Sequence, residues 1–266
     1  MSDASGLLRV LFVGDVFGSV GLSALLAKLP QLREAHQPHM VVVNAENAAS
    51  GSGTSARQAT ALLDAGVDVL TGGNHTLRQT DLFPVLESNA RVLRPDNLAP
   101  TAPGRGTVTV DVAGGFRVAV INLVGSIFMD CAHSPFAVID ALVERARRET
   151  RWIVVDIHAE ATSEKVALSR HLDGKVTAVV GTHTHVQTAD ARVLSGGTAY
   201  MTDLGMTGPH DGVIGVRSEI IVRRFLTGTS GRFEPAEGEV LVQGALLEAG
   251  GDGLARSITA FSIAAE

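Results

Sequence analysis

VTAVVGTHTHVQT, Val176 to Thr188, decides how this chain is read. Val176 to Val180 is an apolar run of strand type, Gly181 breaks it, and His183 and His185 follow two residues apart. In extended backbone, residues i and i+2 point to the same side, so the two imidazoles converge on one centre. That suits a pair of metal ligands, and equally two strand-end histidines satisfied by hydrogen bonds. The other strands of the chain separate the two readings.

Working outward, the same pattern recurs. Leu7 to Val13 is an apolar run that ends in GDVFG, Gly14 to Gly18, which places Asp15 at a strand's C-terminal end or, alternatively, as a turn former. Met40 to Val43 ends in Asn44-Ala45-Glu46-Asn47, Val67 to Thr71 ends in Gly72-Gly73-Asn74-His75, and Trp152 to Ile157 ends in His158-Ala159-Glu160. Between these strands the spacing predicts helices over Ser19 to His36, ended or kinked at Pro30, then Thr54 to Leu63, Gln79 to Ser88, and Ser134 to Arg148 with Ser134 as N-cap and Pro135 first in the helix. A further helix begins near Thr162. Gly106 to Val112 and Phe116 to Val124 read as a hairpin around Ala113-Gly114-Gly115. Ile220 to Phe225, Glu239 to Leu247 and Ser257 to Ala264 read as antiparallel strands. The result is an α/β chain, βα units first and antiparallel strands last, expected as a single domain over 1–266.

Composition removes several classes. No apolar run approaches the ~20 residues that span a bilayer, and the first residues carry no export signal of the usual kind, so a soluble cytoplasmic protein is expected. One cysteine, Cys131, excludes an intrachain disulfide framework and a thiolate-rich metal site. A net charge of −6 argues against a broad duplex-binding surface, while a small phosphorylated partner and a homo-oligomer stay compatible. Gly51, Gly53 and Ala56 match a dinucleotide-loop pattern, but the acidic residue expected at the end of the next strand is missing. These glycines instead let the backbone pass close to a site formed by Glu46 and Asn47.

If the strands share one sheet, Asp15, Glu46, Asn47, Asn74, His75, His158, His183 and His185 meet on one rim. This is more donors than one ion uses, so two are expected, with the two oxygens of Glu46 suited to bridge them. Imidazole, carboxylate and amide ligands fit iron, manganese or zinc. Such a pair lowers the pKa of bound water and clamps the oxygens of an in-line displacement at phosphorus, which makes phosphoester hydrolysis through a metal-bound hydroxide the implied reaction.

The series D…NAEN…GNH…H…GTHTH resembles the calcineurin-like metallophosphoesterases. Two departures stand out from their DxH and GDxxD signatures: Phe17 replaces a histidine, and NAEN stands where GDxxD would, with Glu46 at the bridging position. Those departures, with GDVFG, NLVGSIFM, HAEATSEK and TDLGMTGPHDGVIG, look like the YmdB-like branch, from Leu7 to beyond Phe261. The resemblance implies a four-layer α/β/β/α sandwich and a di-iron or di-manganese phosphodiesterase acting on cyclic nucleotides of the 2′,3′-cyclic AMP type. It implies Asp15 and His185 on the first ion with Asn47 nearby, Asn74, His158 and His183 on the second, Glu46 between them, and His75 as proton donor. A nucleotide sensor with little turnover, or a phosphomonoesterase on the same site, would use the same residues. Glu160, Lys165 and His210 are candidates for shaping the pocket, and Cys131, beside Phe128 and Met129, is expected to be partly buried and dispensable.

Overall fold

The computed structural model describes residues 6–49, 51–229 and 231–265. The first five residues, on which the reading of the chain's start partly rests, and Ser50 of the glycine loop lie outside that set.

Strand β1 (Leu8–Val13) leads through β2 (Asp15–Val16) into helix α1 (Gly18–His36), then β3 (Met40–Asn44), α2 (Ala56–Asp64) and β4 (Val69–Thr71). A 3-10 turn, Thr80–Leu82, precedes α3 (Phe83–Ser88), so the helix expected from Gln79 is split just before Pro84, which has no N–H and sits in the first turn of the α-helical part. Hairpin strands β5 (Thr107–Asp111) and β6 (Arg117–Val124) follow, then α4 (Pro135–Arg147), β7 (Trp152–His158), α5 (Thr162–His171), β8 (Ala178–Thr182), β9 (Arg192–Val193), β10 (Ala199–Met201) and β11 (Met206–Pro209). Helix α6 (Ser218–Thr227) and the antiparallel pair β12 (Val240–Ala249) and β13 (Ala255–Ala264) complete the chain.

The strands form a seven-stranded sheet, in the order β2-β11-β12-β1-β3-β4 with β13 on β12, and a six-stranded sheet, β5-β6-β7-β8-β10-β9. β1, β3 and β4 are parallel, as are β6, β7, β8 and β10. Both faces of each sheet are covered, which is why the strands read as continuous apolar runs rather than alternating ones. On β1, Leu8, Val10 and Phe12 face a core shared with Val118, Val120, Val154 and Val180 of the other sheet. Leu11 and Val13 point the other way, against Leu25, Leu29 and Leu32 of α1 and Leu62 of α2. Ile121, Ile153 and Val155 likewise meet Ile139 and Leu142 of α4 and Leu168 of α5. Burying each such side chain is worth about 1.5–3 kcal/mol. The architecture is mixed α/β, two sheets with helices.

One expectation fails and half of another does. Pro30 does not end α1, because Leu29 and Leu32 on either side of it are buried against the sheet and hold the helix until Gln37 turns left-handed at φ 45. The segment Ile220 to Phe225, expected as a strand, is helix α6. Its β-branched residues suggested extended chain, but helical spacing turns Ile221 onto Phe17, Met206 and Val216. Gly228 closes the helix at φ 69, its N–H donating to Arg224 O at 2.9 Å.

Candidate metal centre

The strand ends converge as the spacing demands. Asp15 follows β1, Glu46 and Asn47 follow β3, Asn74 and His75 follow β4, His158 closes β7, and His183 and His185 follow β8. Asp156, two residues before His158, binds the two sheets together beneath this rim. One of its oxygens accepts from Asn44 Nδ2 (3.0 Å) and Thr71 Oγ1, and the other from Thr182 Oγ1 (2.9 Å). Above it, Asp15 Oδ1 lies 3.4 Å from Asn47 Nδ2, 3.7 Å from His158 Nδ1 and 3.8 Å from His185 Nε2. Glu46 Oε1 is 3.9 Å from His158 Nε2 and 3.8 Å from His75 Nδ1. Two glycines make this approach feasible: a Cβ on Gly73 would sit 2.0 Å from His158 Cδ2, and one on Gly14 would sit 2.1 Å from Gly205 O.

Hydrogen bonds fix which ring nitrogens are free. Thr182 donates to Asp156, so it accepts from His158 Nδ1 at 2.9 Å, and the lone pair of His158 is on Nε2. His185 Nδ1 must donate to the carbonyl of Ile214 at 3.0 Å, which puts its lone pair on Nε2, where Asn47 Nδ2 stands at 3.0 Å. His183 Nε2 meets the carboxylate of Glu160 at 3.0 Å, so its lone pair is on Nδ1. His183 Nδ1 and His158 Nε2 therefore face each other, lone pair to lone pair, at 3.0 Å. Two nitrogens about 2.1 Å from one cation and at right angles around it stand about 3.0 Å apart. Asn74 Oδ1 is buried with no hydrogen-bond partner, a cost a cation would remove. The donor set fits metal ions.

The electrostatics agree. Burial, joined by repulsion from Asp203, Asp156 and Glu46, pushes the Asp15 carboxyl well above its usual range. Burial lifts Glu46 to about 8 despite donation from the N–H groups of His75 and Gly73 and from Thr76 Oγ1. The same desolvation holds His158 well below the ordinary imidazole value and brings His185 down to about 4. Carboxylates that resist ionising beside imidazoles that resist protonation form a cluster short of positive charge, which a bound cation would balance.

Other expected residues fall into different places. Asn47 turns its amide nitrogen toward His185 Nε2 (3.0 Å) and its oxygen toward His75 Nδ1 (3.2 Å), so ligation through that oxygen takes a half-turn of the amide. His75 is half-buried in the wall of the adjoining cavity. Phe17 packs edge-on against the His185 ring, 5.8 Å between centroids. Gly53 N donates to Glu46 O at 2.7 Å and Gly51 N to Asn47 O at 2.9 Å, so the glycine loop wraps the site. Glu160 lines the cavity and Lys165 is fully buried against Asp203 at 2.8 Å. His210 bonds the backbone of Met206 at 3.2 Å. Cys131 is half-buried, but Phe128 beside it is 91% exposed. Sequence reasoning passed over Asp156, Thr182 and Asp203. Asp203 Oδ2 holds Thr184 through its N–H (3.0 Å) and hydroxyl (2.7 Å), and so sets the turn that carries His183 and His185. Its only signal was an acidic residue, in TDLG, following the strand next to β8.

The sequence pattern of the YmdB-like protein family matches residues 11–261. The chain belongs to the YmdB-like family. It is 44% identical over 241 residues, 91% of either chain, to a 2′,3′-cyclic-nucleotide 2′-phosphodiesterase of Bacillus subtilis. It is 36% identical to a putative phosphatase/phosphodiesterase of Mycoplasma pneumoniae, over 91% of this chain and 87% of that one. A crystal structure of a hypothetical protein from Thermus thermophilus superposes with a TM-score of 0.90 at 40% identity, covering 97% of this chain and 99% of that one. A Mycoplasma pneumoniae structure described as a novel phosphatase gives 0.89 at 34% identity, covering 99% and 95%. As a YmdB-like protein the chain is a phosphoric ester hydrolase, of a metallophosphoesterase type that implies metal ions.

Proposed function

We propose that this YmdB-like chain is a dinuclear-metal phosphodiesterase that opens 2′,3′-cyclic nucleotides. The observation that carries the reading is the buried rim itself. Two imidazole lone pairs stand 3.0 Å apart beside Asp15 and Glu46, with the unpartnered Asn74 Oδ1 in the same strand-end set. Asp15, His185 and Asn47 would hold one ion, Asn74, His158 and His183 the other, and Glu46 would serve both. The imidazole, carboxylate and amide donors suit iron, manganese or zinc, and the family resemblance favours iron or manganese. When bound, the pair supplies positive charge for an in-line displacement and acidifies water. We read the two sheets and their helices as the four-layer α/β/β/α sandwich, one metallophosphoesterase domain over 1–266. A lone cysteine suits a reducing cytoplasm.

The chain's own residues do the rest. Water adds at phosphorus and releases a proton to solvent, the bond to O2′ breaks, and O2′ takes a proton from a side chain that solvent then reprotonates, leaving a nucleoside 3′-phosphate. His75 is the proton's source. Its ring lies in the lining of the cavity beside the ligand cluster, within reach of a leaving oxygen there. The Lys165–Asp203 pair and Thr184 hold the turn that aims His183 and His185.

Elemental analysis of freshly purified protein, paired with an assay of 2′,3′-cyclic AMP and 5′-AMP, tests this. Two transition metals per chain and ring opening are expected. Retention of intact cyclic nucleotide would favour a sensor, phosphate release from 5′-AMP alone a phosphomonoesterase, and at most one metal after reconstitution with iron and manganese would end the dinuclear reading.

A further inference from the structure

Beside the metal-ligand cluster lies a cavity of about 470 Å³ whose two sides differ in chemistry. Polar lining comes from the strand-end residues Asn47, His75, His183 and His185 with Glu160; apolar lining comes from Ile214, Val216 and Phe233, from Ile221 and Phe225 of α6 with Arg224 among them, and from Phe17 against the His185 ring. The volume falls within the roughly 300–1,000 Å³ of small-molecule sites, and a mostly apolar lining with a few placed polar groups is their usual composition. Phe17, Val216 and Ile221 are buried core, but the rest of the apolar lining is not. Phe225 is 84% exposed, Ile214 51% and Phe233 45%, which is unusual for a wall of large hydrophobic side chains. The Arg224 guanidinium lies over the Phe233 ring, 5.6 Å from its centroid.

We infer that this wall, contributed by α6 and the segment carrying Phe233, is the subsite for the nucleobase of the substrate, with Phe233 and Phe225 as stacking surfaces and Arg224 beside the base edge. The inference rests on the cyclic-nucleotide reading of the metal site. The chemistry of that substrate sets the direction: its phosphorus joins O2′ and O3′ of the ribose, and its base leaves from C1′ on the neighbouring carbon. A phosphate held at the polar side therefore sends a flat, apolar-faced heterocycle across the cavity. An aromatic ring accepts any base on its π-face, and an arginine adds cation–π attraction together with donors for ring nitrogens or carbonyl oxygens. Ile214 links the two halves. Its φ of 46 is strained for a β-branched residue, and its carbonyl fixes the tautomer of His185 while its side chain lines the cavity.

The test uses the full-length, metal-loaded protein and its variants Phe233→Ala and Phe225→Ala, at positions exposed enough for the fold to survive, as circular dichroism would confirm. Hydrolysis of 2′,3′-cyclic AMP is compared with that of methyl riboside 2,3-cyclic phosphate, which keeps the reacting group and lacks a base. Loss of one stacking ring should lower the ratio of kcat/KM for the nucleotide over the base-free substrate by about 5- to 100-fold. A ratio unchanged within twofold in both variants overturns the subsite while leaving the phosphodiesterase reading in place. So does a wild-type dimer that Phe233→Ala dissociates with that ratio intact, which would make the wall a contact between two copies of this chain. If the wild type opens neither cyclic phosphate, the reaction reading fails, and saturation-transfer NMR with adenosine decides the subsite separately. Base-proton signals in the wild type that disappear in Phe233→Ala uphold it, and any other result overturns it.

Discussion

Replacing Lys165 by Met removes the cation from a fully buried pair and leaves a side chain of similar length. Lys165 Nζ and Asp203 Oδ2 are 2.8 Å apart with both side chains fully buried. At an effective dielectric near 20 their attraction is about 6 kcal/mol, and desolvation of the two ions consumes most of it. Breaking a buried pair from one side nevertheless costs about 3–5 kcal/mol, because the remaining charge stays behind. Asp203 would still accept from Thr184 N, Thr184 Oγ1 and Gly205 N, so the lower end, about 3 kcal/mol, is expected. In a chain of this size that shifts the midpoint by roughly 6–12 °C. A second effect should be separable from the first. Asp203 holds the turn on which His183 and His185 sit at φ 102 and 64, and loss of such a supporting partner weakens metal affinity by about 10–100-fold. Thermal unfolding of metal-free protein reads the stability, and competition with a chelator reads the affinity. The double variant Lys165→Met/Asp203→Leu should recover much of the stability but not the affinity. A Lys165→Met protein within 1 °C of wild type that binds metal normally would refute the reasoning.

Three further outcomes follow from the same site. His75→Ala should keep both metals and lose about 10²–10⁴-fold in kcat on a cyclic nucleotide, with a far smaller loss on a nitrophenyl phosphodiester whose leaving group hardly needs a proton; equal losses with shed metal would make His75 a ligand. Glu46, raised to about 8 in the metal-free protein, must give up its proton to bind metal, so apparent affinity should fall up to about tenfold per pH unit as pH drops from 8 toward 6. Calorimetry in buffers of different ionisation enthalpy would register that proton, and Glu46→Gln should lessen the dependence to the part that Asp15 contributes while lowering occupancy of both metals together. Cys131→Ser should bind metal and turn over substrate like the wild type, since nothing in the chemistry calls on a thiolate, and a large loss of turnover would show that a participant is missing.

The makeup of the polar rim was legible in the sequence because parallel strands deliver whatever follows them to one edge, and Asp15, Glu46, Asn74, His158, His183 and His185 each stand at the end of an apolar run. Periodicity of 2 and of 3.6 likewise located most strands and helices to within a residue or two. It misread Ile220 to Phe225, where β-branched residues favour a strand but the segment is helical, and it left open an end at Pro30, which buried neighbours carry the helix past. Tertiary structure alone decided what supports the site. Asp156 reaches Asn44, Thr71 and Thr182 across both sheets, and Asp203 reaches Lys165 from 38 residues away, pairings no local pattern announces. The tautomers belong here too, since each ring's free nitrogen is set by its partner: Thr182, Glu160 or the carbonyl of Ile214. Local sequence determines which side chain leaves a strand end, because backbone geometry is local. Where its lone pair points, and what charge surrounds it, depends on contacts made only when distant segments pack and water is excluded.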